Sequence, residues 1–275
     1  MVERPPPAAP AADPSVALVV PCYDEAERLD ASAFREFAAS RPWLRFVFVD
    51  DGSRDGTRAI LAGLAREAHG ACELVALERN RGKAEAVRAG VLHALSGGAE
   101  LVGFWDADLA TPLAELDRFR ACFAAEPALE IVLGSRVRLL GHRVERSELR
   151  HYFGRIAATC VSWILRLPVY DTQCGAKLFR ATPALREVFR EPFLTRWEFD
   201  VELLARWRDP PHGRGRPDLA GRIRELPLLE WHDVAGSRLR LRDFVRAPLE
   251  LLRIWRAHPG LRRAPPRGAG SAGQD

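Results

Sequence analysis

Acidic side chains follow three of the apolar runs in this sequence. Glu25 comes shortly after the first run, Asp50 and Asp51 follow the second, and Asp106 and Asp108 follow the fourth. Carboxylates that are brought together repel one another unless a cation or hydrogen-bond donors share the site. The pattern therefore predicts a cation-binding cleft, provided that the fold brings the ends of these runs to one edge.

The best candidates for metal ligands are Asp106 and Asp108, which are separated by one alanine. Residues two apart in an extended chain face the same side, so both carboxylates can point at one hard cation. Mg²⁺ or Mn²⁺ is commonly held by one or two carboxylates, with phosphate oxygens completing its shell. The alternative is that this Asp-x-Asp motif is only a turn, but the other acidic groups at the same edge favour the metal.

Two further segments suit a nucleoside diphosphate. Asp50 and Asp51 precede a glycine, which signals a turn, but a turn needs only one aspartate and the second can accept hydrogen bonds from a ribose or a base. The segment from Arg79 to Lys83 places a glycine turn and cations before a predicted helix, which suits a phosphate. Only Lys83 and Lys177 are lysines among the 41 basic residues. A retained lysine indicates a site that needs a compact point charge, with codon bias as the alternative.

The elements that must position these residues are recognisable as short apolar runs. These are Val16–Val20, Phe46–Val49, Leu74–Leu77, Leu101–Trp105 and Ile131–Leu133. Their nearly continuous apolar character is typical of strands buried on both faces. Helical apolar stripes lie between them, including residues 84–95 and 113–123. The alternation predicts an α/β fold with a mostly parallel central sheet, helices on both faces and ligands beyond the carboxyl ends of the strands.

Composition and length restrict the class of protein. The chain has 275 residues, of which 47% are hydrophobic and 28% charged, enough for one large core. No run of 18 apolar residues predicts a membrane-spanning helix, and the first residues lack the pattern of a signal peptide. The five cysteines include no C-x-x-C pair, which predicts free, buried thiols and no zinc site. We therefore expect a cytoplasmic protein.

The basic excess is concentrated near the C-terminus. The net charge is +4, and the residues from 236 onward contain nine arginines against three acidic residues. Apolar side chains recur there at helical spacing from Leu241 to Trp255, with arginines on other faces, which is typical of a helix at a lipid surface. The alternative is a helix docked on the domain, and Pro248 is expected to divide it in two. Nucleic acid is not an expected partner, because the aromatic residues are not interleaved as stacking platforms.

These patterns predict four segments. Residues 1–14 and 264–275 are expected to be disordered tails, residues 15–235 to form the main domain, and residues 236–263 to form a basic amphipathic helical extension. A further apolar stripe over residues 152–167 predicts a helix that is either buried or apposed to a membrane.

Seven motifs occur in order between residues 15 and 205, namely VVPCYDEAERL, FVFVDDGSRDGT, ERNRGKAEAVRAG, FWDADLATP, VLGSR, YDTQCGAKLF and RWEFDVELL. Together they resemble the family 2 glycosyltransferases of the GT-A fold, in the polyprenyl-phosphate branch that includes dolichyl-phosphate mannosyl- and glucosyltransferases. The last two motifs are most similar to the glucosyltransferase subgroup, which favours UDP-glucose as donor. One departure is Tyr-Asp-Glu at residues 23–25, where the family usually has Tyr-Asn-Glu.

The resemblance implies inverting, metal-dependent transfer of a hexose, most simply glucose, from a nucleoside diphosphate to polyprenyl phosphate. It implies Mg²⁺ or Mn²⁺ at Asp106 and Asp108, and peripheral attachment at the cytoplasmic face of a membrane. The resemblance implies contact of Glu25 and Asp51 with the nucleoside, and the full set of predicted nucleotide-binding residues is Pro21, Tyr23, Glu25, Asp50, Asp51, Lys83 and Asp106.

A cationic cradle is expected on the acceptor side. A phosphate monoester is already ionised near neutral pH, so alignment of the acceptor matters more than a strong base. Arginine suits this task because its planar fork of donors matches phosphate, although Arg146 and Arg150 could instead form a solvated face. The acceptor-phosphate candidates are Arg136, Arg146, Ser147, Arg150 and Lys177.

Asp171 and Asp200 complete the catalytic candidates with Asp106 and Asp108. Either could orient the acceptor or act as a base, and Asp200 could alternatively cap a helix. Three other functions remain open: a GDP-mannose-dependent polyprenyl-phosphate mannosyltransferase, a family 2 enzyme with a non-lipid acceptor, and a non-catalytic protein that binds sugar nucleotides.

Overall fold

The computed structural model describes residues 14–68, 70–137, 139–144, 159–196, 198–210, 219–232 and 241–262. The strands among them are β1 (Val16–Cys22), β2 (Leu44–Asp50), β3 (Cys72–Ala76), β4 (Leu101–Phe104), β5 (Ile131–Ser135), β6 (Arg143–Val144), β7 (Lys177–Arg180), β8 (Ile223–Pro227) and β9 (Glu230–Trp231). The five predicted apolar runs overlap with β1 to β5, and their bounds differ from those of the strands by one to two residues in most cases.

The described α-helices with assigned bounds are α1 (Ala31–Ala39), α2 (Thr57–Glu67), α3 (Lys83–Ser96), α4 (Glu115–Ala125), α5 (Pro183–Arg190), α6 (Phe199–Arg208) and α7 (Leu241–Ala257). Residues 159–165 are also helical. The helix predicted over 84–95 is α3. The stripe over 113–123 corresponds to α4, which begins three residues after Pro112.

Seven strands form one sheet in the order β3-β2-β1-β4-β7-β5-β8. β1 pairs in parallel with β2 and β4, and β2 with β3. β7 is antiparallel to both of its neighbours, β4 and β5. The expected α/β architecture with a mostly parallel sheet is confirmed, with β7 as an antiparallel insertion that its short sequence did not predict. β6 and β9 pair separately.

Helices cover both faces of the sheet. Ala17 and Val19 of β1 face the core that includes Val87 of α3, whereas Leu18 and Val20 face the opposite core. α5, α6 and the inner face of α7 join the first core, and α1, α2 and α4 join the second. Because β1, β2 and β4 run in parallel, their carboxyl ends meet at one edge, where the predicted acidic residues follow.

The C-terminal helix corrects one expectation. α7 is a single helix with Pro248 inside it, not two helices. A proline removes one backbone donor and weakens a helix, but α7 is anchored beyond this position by Ile254, which is wholly buried. None of the helices that the structure describes is long and apolar enough to cross a membrane.

The expectation of free, buried thiols is confirmed for only some of the cysteines. Cys22, Cys72 and Cys174 are free and buried, but Cys122 is partly exposed and Cys160 is exposed. Burial raises the pKa of the Cys72 thiol to about 11, so this side chain behaves as an apolar core residue at neutral pH.

Candidate active site

The Asp-Ala-Asp segment begins directly after β4. The backbone N–H of Trp105 donates to the carbonyl of Val19, 2.8 Å away, and its indole N–H donates to the carbonyl of Thr111, 2.7 Å away. These two bonds fix both ends of the loop that carries Asp106 and Asp108. Both carboxylates are only half-buried, so the loop holds them at the surface of a cleft.

Lys83 forms an ion pair with the first aspartate of this segment. Its Nζ lies 2.5 Å from Oδ1 of Asp106, and the two side chains are 38% and 36% exposed. Lys83 is the first residue of α3, so the start of this helix and the end of β4 meet here. The lysine singled out by its rarity therefore lies beside the candidate metal ligands, as a site for phosphate requires.

The two carboxylates differ in their electrostatic environment. Burial tends to raise the pKa of Asp106, but the positive charges of Lys83, Lys177 and Arg136 together lower it. Burial and the neighbouring charge of Asp106 raise the pKa of Asp108. The charges of Lys83 and Arg28 oppose this shift without cancelling it, and a divalent cation would further favour the ionised form of Asp108.

Asp51 organises the loop that leads to Lys83. Its carboxylate accepts hydrogen bonds from the backbone N–H groups of Arg81 and Gly82, at 2.7 and 2.8 Å. Burial raises the pKa of Asp51, and these two bonds oppose the shift. The loops after β2 and β3 approach so closely that a Cβ at Gly52 would lie 2.5 Å from the backbone of Arg79. Asp51 therefore lies at the same edge as Asp106 and shapes the candidate nucleotide site.

The surroundings of Asp50 differ from those expected of a nucleotide-binding residue. Its side chain is fully buried, lies 2.6 Å from Nε of Arg58, and accepts a hydrogen bond from the backbone N–H of Ser53. Because its carboxylate is enclosed by these partners, the geometry favours support of the turn over contact with a nucleotide.

Glu25 is linked to the candidate site by an ion pair with Arg28. Its carboxylate lies 2.7 Å from NH2 of Arg28, and its backbone N–H donates to the hydroxyl of Thr57. The Arg28 guanidinium also acts on Asp108, where it partly offsets the raised pKa. Pro21 and Tyr23 are partly buried beside this segment at the end of β1. Three distant strand ends thus converge, as expected.

Arg136 and Asp171 form a bidentate ion pair on the other side of the cleft. Nε and NH2 of Arg136 lie 2.7 and 2.8 Å from the two carboxylate oxygens, and the Arg136 backbone N–H also donates to Asp171. Arg136 is close enough to contribute to the lowered pKa of Asp106. The pairing favours an orienting role for Asp171 over that of a base.

Lys177 and Asp200 form a second, buried pair. Nζ of Lys177 lies 2.6 Å from Oδ1 of Asp200, and the lysine side chain is not exposed at all. Its ammonium also donates to the carbonyl of Cys174. Such burial favours a positioning role for Lys177 over direct contact with an acceptor phosphate. Asp200 is within the first turn of α6, and the N-cap residue of this helix is Glu198, whose side chain makes no capping hydrogen bond.

The 171–176 loop completes the cleft. A Cβ on Gly175 would lie 1.8 Å from Oδ2 of Asp106, so only glycine permits this contact between the loop and the carboxylate. The candidates Arg146, Ser147 and Arg150 lie outside the described residues, and their predicted roles stay predictions.

Four residues that the sequence did not single out contribute to the site. Arg28 has a recognisable signal, because it lies three residues after Glu25, and Arg58 lies in the first turn of α2. Arg196 donates to the Asn80 side chain over the 79–83 loop, 116 residues away, and has no local signal. Glu198 is the N-cap residue of α6 and has no local signal either.

A divalent metal fits the donor set. Asp106 and Asp108 supply hard carboxylate oxygens, and Asp108 lies where additional positive charge is favourable. Within the described residues, no group of three or more His, Cys, Asp or Glu side chains is placed to hold a metal by itself. Mg²⁺ or Mn²⁺ is commonly held by one or two carboxylates together with phosphate oxygens.

Comparison with known proteins identifies the family of this chain. Residues 17–183, more than half of the chain, match the model of Glycosyl transferase family 2. The chain is 32% identical over 266 residues to the dolichyl-phosphate beta-glucosyltransferase of Drosophila melanogaster, covering 87% of this chain and 74% of the relative. It is 30% identical over 251 residues to one from Trichomonas vaginalis, covering 86% and 69%.

Solved structures show the same architecture. Glucosyl-3-phosphoglycerate synthase from Mycobacterium tuberculosis, crystallised with Mn²⁺, UDP-glucose and phosphoglyceric acid, superimposes with a TM-score of 0.62 at 16% identity. The superposition covers 89% of this chain and 80% of that one. The likeness confirms the expected GT-A fold.

Proposed function

Because this chain belongs to glycosyltransferase family 2, we propose that it transfers glucose from UDP-glucose to a polyprenyl phosphate such as dolichyl phosphate, with inversion at the sugar carbon. The observation that carries the proposal is the convergence of Lys83, Asp106 and Asp108 at one edge of the sheet. The names of the relatives, dolichyl-phosphate beta-glucosyltransferases, support the choice of sugar and acceptor.

The donor lies on the side of the cleft formed by the loops after β1, β2 and β3. Asp51 holds the backbone of the 79–83 loop, so the N-terminus of α3 and the ammonium of Lys83 face the position of the diphosphate. Glu25, Pro21 and Tyr23 lie at the nucleoside end. The UDP-glucose bound by the Mycobacterium tuberculosis enzyme supports a uridine donor.

Asp106 and Asp108 would hold the metal, either Mg²⁺ or Mn²⁺. When bound there, it neutralises the charge that develops on the departing diphosphate. Lys83 adds a fixed positive charge on the same side, and its ion pair with Asp106 keeps that carboxylate ionised. Both features prepare the chain to stabilise a leaving group that gains negative charge.

The acceptor enters on the side of Arg136. Its phosphate carries its own negative charge and attacks directly, so no strong base is required. The Asp171 carboxylate fixes the Arg136 guanidinium in one orientation, and the Lys177–Asp200 pair anchors β7 to α6 below it. These groups align the acceptor rather than remove a proton from it.

A donor panel tests the proposal. Purified protein with Mn²⁺ is incubated with UDP-glucose, GDP-mannose, UDP-N-acetylglucosamine or UDP-galactose, with and without polyprenyl phosphate, and released nucleotide is measured together with labelled lipid. We expect glucosyl lipid and UDP only when UDP-glucose and polyprenyl phosphate are both present. Preference for GDP-mannose, transfer to a non-lipid acceptor, or binding without turnover would each support one of the other functions and contradict this one.

The outer face of α7 is the proposed membrane contact. Leu249, Leu252 and Trp255 are 61%, 39% and 36% exposed, and they lie among exposed arginines. The Arg262 guanidinium lies over the Trp255 ring. The backbone carbonyl of Arg262 accepts a hydrogen bond from the Arg166 side chain. The helical residues 159–165, with Trp163 80% exposed, are thereby brought next to the end of α7. Exposed aromatic, aliphatic and cationic side chains together suit an anionic lipid surface.

Sedimentation with lipid vesicles tests this contact. The full chain is expected to bind vesicles that contain phosphatidylserine and to release them at high salt. Each cation near the surface contributes about 1 kcal/mol, so R253Q/R256Q is expected to bind about thirtyfold more weakly. The control R35Q/R66Q removes equal charge from α1 and α2 and should bind as the unaltered chain does. Equal weakening by both pairs would assign the effect to net charge and contradict a specific contact by α7.

A further inference from the structure

The inner face of α7 makes a polar contact with the start of α6. Oε2 of Glu250 accepts a hydrogen bond from the backbone N–H of Glu198, 3.1 Å away, at the N-cap of α6. The wholly buried Ile254 fixes the helix one turn further on. The backbone N–H of Gly260 then donates to Asp209 at the other end of α6. Glu250 is therefore held in place against the start of α6.

The side chain of Glu198 continues the connection toward the cleft. Its Oε2 accepts a hydrogen bond of 2.8 Å from the side-chain amide of Gln173, which belongs to the 171–176 loop. Gly175 of the same loop packs directly against the carboxylate of Asp106. Two hydrogen bonds and one close contact thus join the C-terminal helix to a candidate metal ligand.

Glu198 also has an unusual charge environment. It is only 8% exposed, and the charges that act on it among the described residues are the carboxylates of Asp200 in α6 and of Glu250 in α7. Burial, followed by these two charges, raises the pKa of Glu198 to about 7, and the amide of Gln173 opposes the shift. The carboxyl group therefore changes its charge within the physiological range of pH.

We propose that Glu198 is a positioning residue, which holds the 171–176 loop against Asp106 through Gln173 and is itself held by Glu250 of α7. The expected effect on turnover rests on the proposed function, whereas the expected effect on the order of the 171–176 loop does not. An ionised acceptor binds the Gln173 amide more strongly than a neutral one. The loop is therefore best ordered above the pKa of Glu198 and less well ordered below it.

Kinetics of three variants test the effect on turnover. E198A removes the acceptor for Gln173 and is expected to lower kcat about tenfold, or about 1.4 kcal/mol, with the KM for UDP-glucose within about twofold. E198Q keeps an oxygen acceptor without a titrating group, so most of the activity should return while the rise in kcat near pH 7 disappears. The control E191Q changes a carboxylate in the segment between α5 and α6 whose side chain is 59% exposed, and this variant should match the unaltered enzyme. Persistence of the titration in E198Q would overturn the proposal.

Hydrogen exchange of the full chain without substrate provides an independent test. E250A and E198A are expected to increase amide exchange in residues 171–176, and E250Q and E191Q are not. Thermal unfolding of each variant separates this local change from loss of the fold. Unchanged exchange of residues 171–176 in both alanine variants would contradict the proposal whatever the substrate. Increased exchange of residues 171–176 in a protein that transfers no glucose would support the positioning role of Glu198 and contradict the proposed function.

Discussion

Substitution of Asp108 by asparagine is expected to lower kcat at least about a thousandfold while the protein stays folded. The amide keeps the shape of the side chain but supplies no negative charge to a divalent cation. Loss of about 4 kcal/mol of charge stabilisation on the leaving group corresponds to that factor. Because burial and the Asp106 charge already raise the pKa of Asp108, removal of its charge relieves repulsion, and the free energy of unfolding should not fall.

The comparison with an unrelated aspartate makes this expectation specific. Asp117 on α4 forms an ion pair with Arg41 and its side chain is 46% exposed. D117N changes the net charge by the same amount outside the cleft and should retain normal turnover. Initial rates at saturating UDP-glucose, with Mn²⁺ or with a chelator, give the readout. A D108N enzyme that keeps its rate and its response to Mn²⁺ would show that this aspartate binds no catalytic metal.

Substitution of Lys177 by methionine is expected to destabilise the fold by about 3–5 kcal/mol, because it leaves the Asp200 carboxylate buried without its partner. Lys177 is wholly buried, and its ammonium lies 2.6 Å from Asp200. Burial raises the pKa of Asp200, and Lys177 is the principal opposing charge. Without the lysine, that pKa should rise further, so the acid takes up a proton more readily in the folded state and the destabilisation should be smaller at acidic pH than at pH 8.

Urea unfolding of a double variant distinguishes the ion pair from simple packing. K177M/D200L replaces both charges with apolar side chains, and removal of a whole buried pair is often far less harmful than removal of one partner. We expect the double variant to regain most of the stability that K177M loses. Additive losses in K177M and D200L would instead show that the two charges do not depend on each other.

The residues that follow apolar runs were the predictable part of the site. Strand ends at Cys22, Asp50 and Phe104 placed Glu25, Asp51 and the Asp106 loop at one edge, since parallel strands align their carboxyl ends. The family resemblance drawn from the seven motifs is confirmed by the match over residues 17–183. The roles assigned to individual site residues stay predictions.

The partners of those residues were not predictable, because they come from distant parts of the chain. Arg136 and Asp171 are 35 residues apart, and Lys177 and Asp200 meet only because β7 inserts antiparallel between β4 and β5. A four-residue strand that begins with lysine does not resemble a buried strand. The importance of Glu198 depends on its burial against α7, which no local spacing indicates.

Anomalous diffraction from a crystal grown with Mn²⁺ and UDP-glucose tests the central claim most directly. The account predicts one strong manganese peak in contact with Asp108 and the donor diphosphate, with Lys83 beside the phosphates and the uridine near Asp51 and Glu25. A manganese peak away from this edge of the sheet, or a nucleotide bound elsewhere with Asp106 and Asp108 untouched, would contradict it.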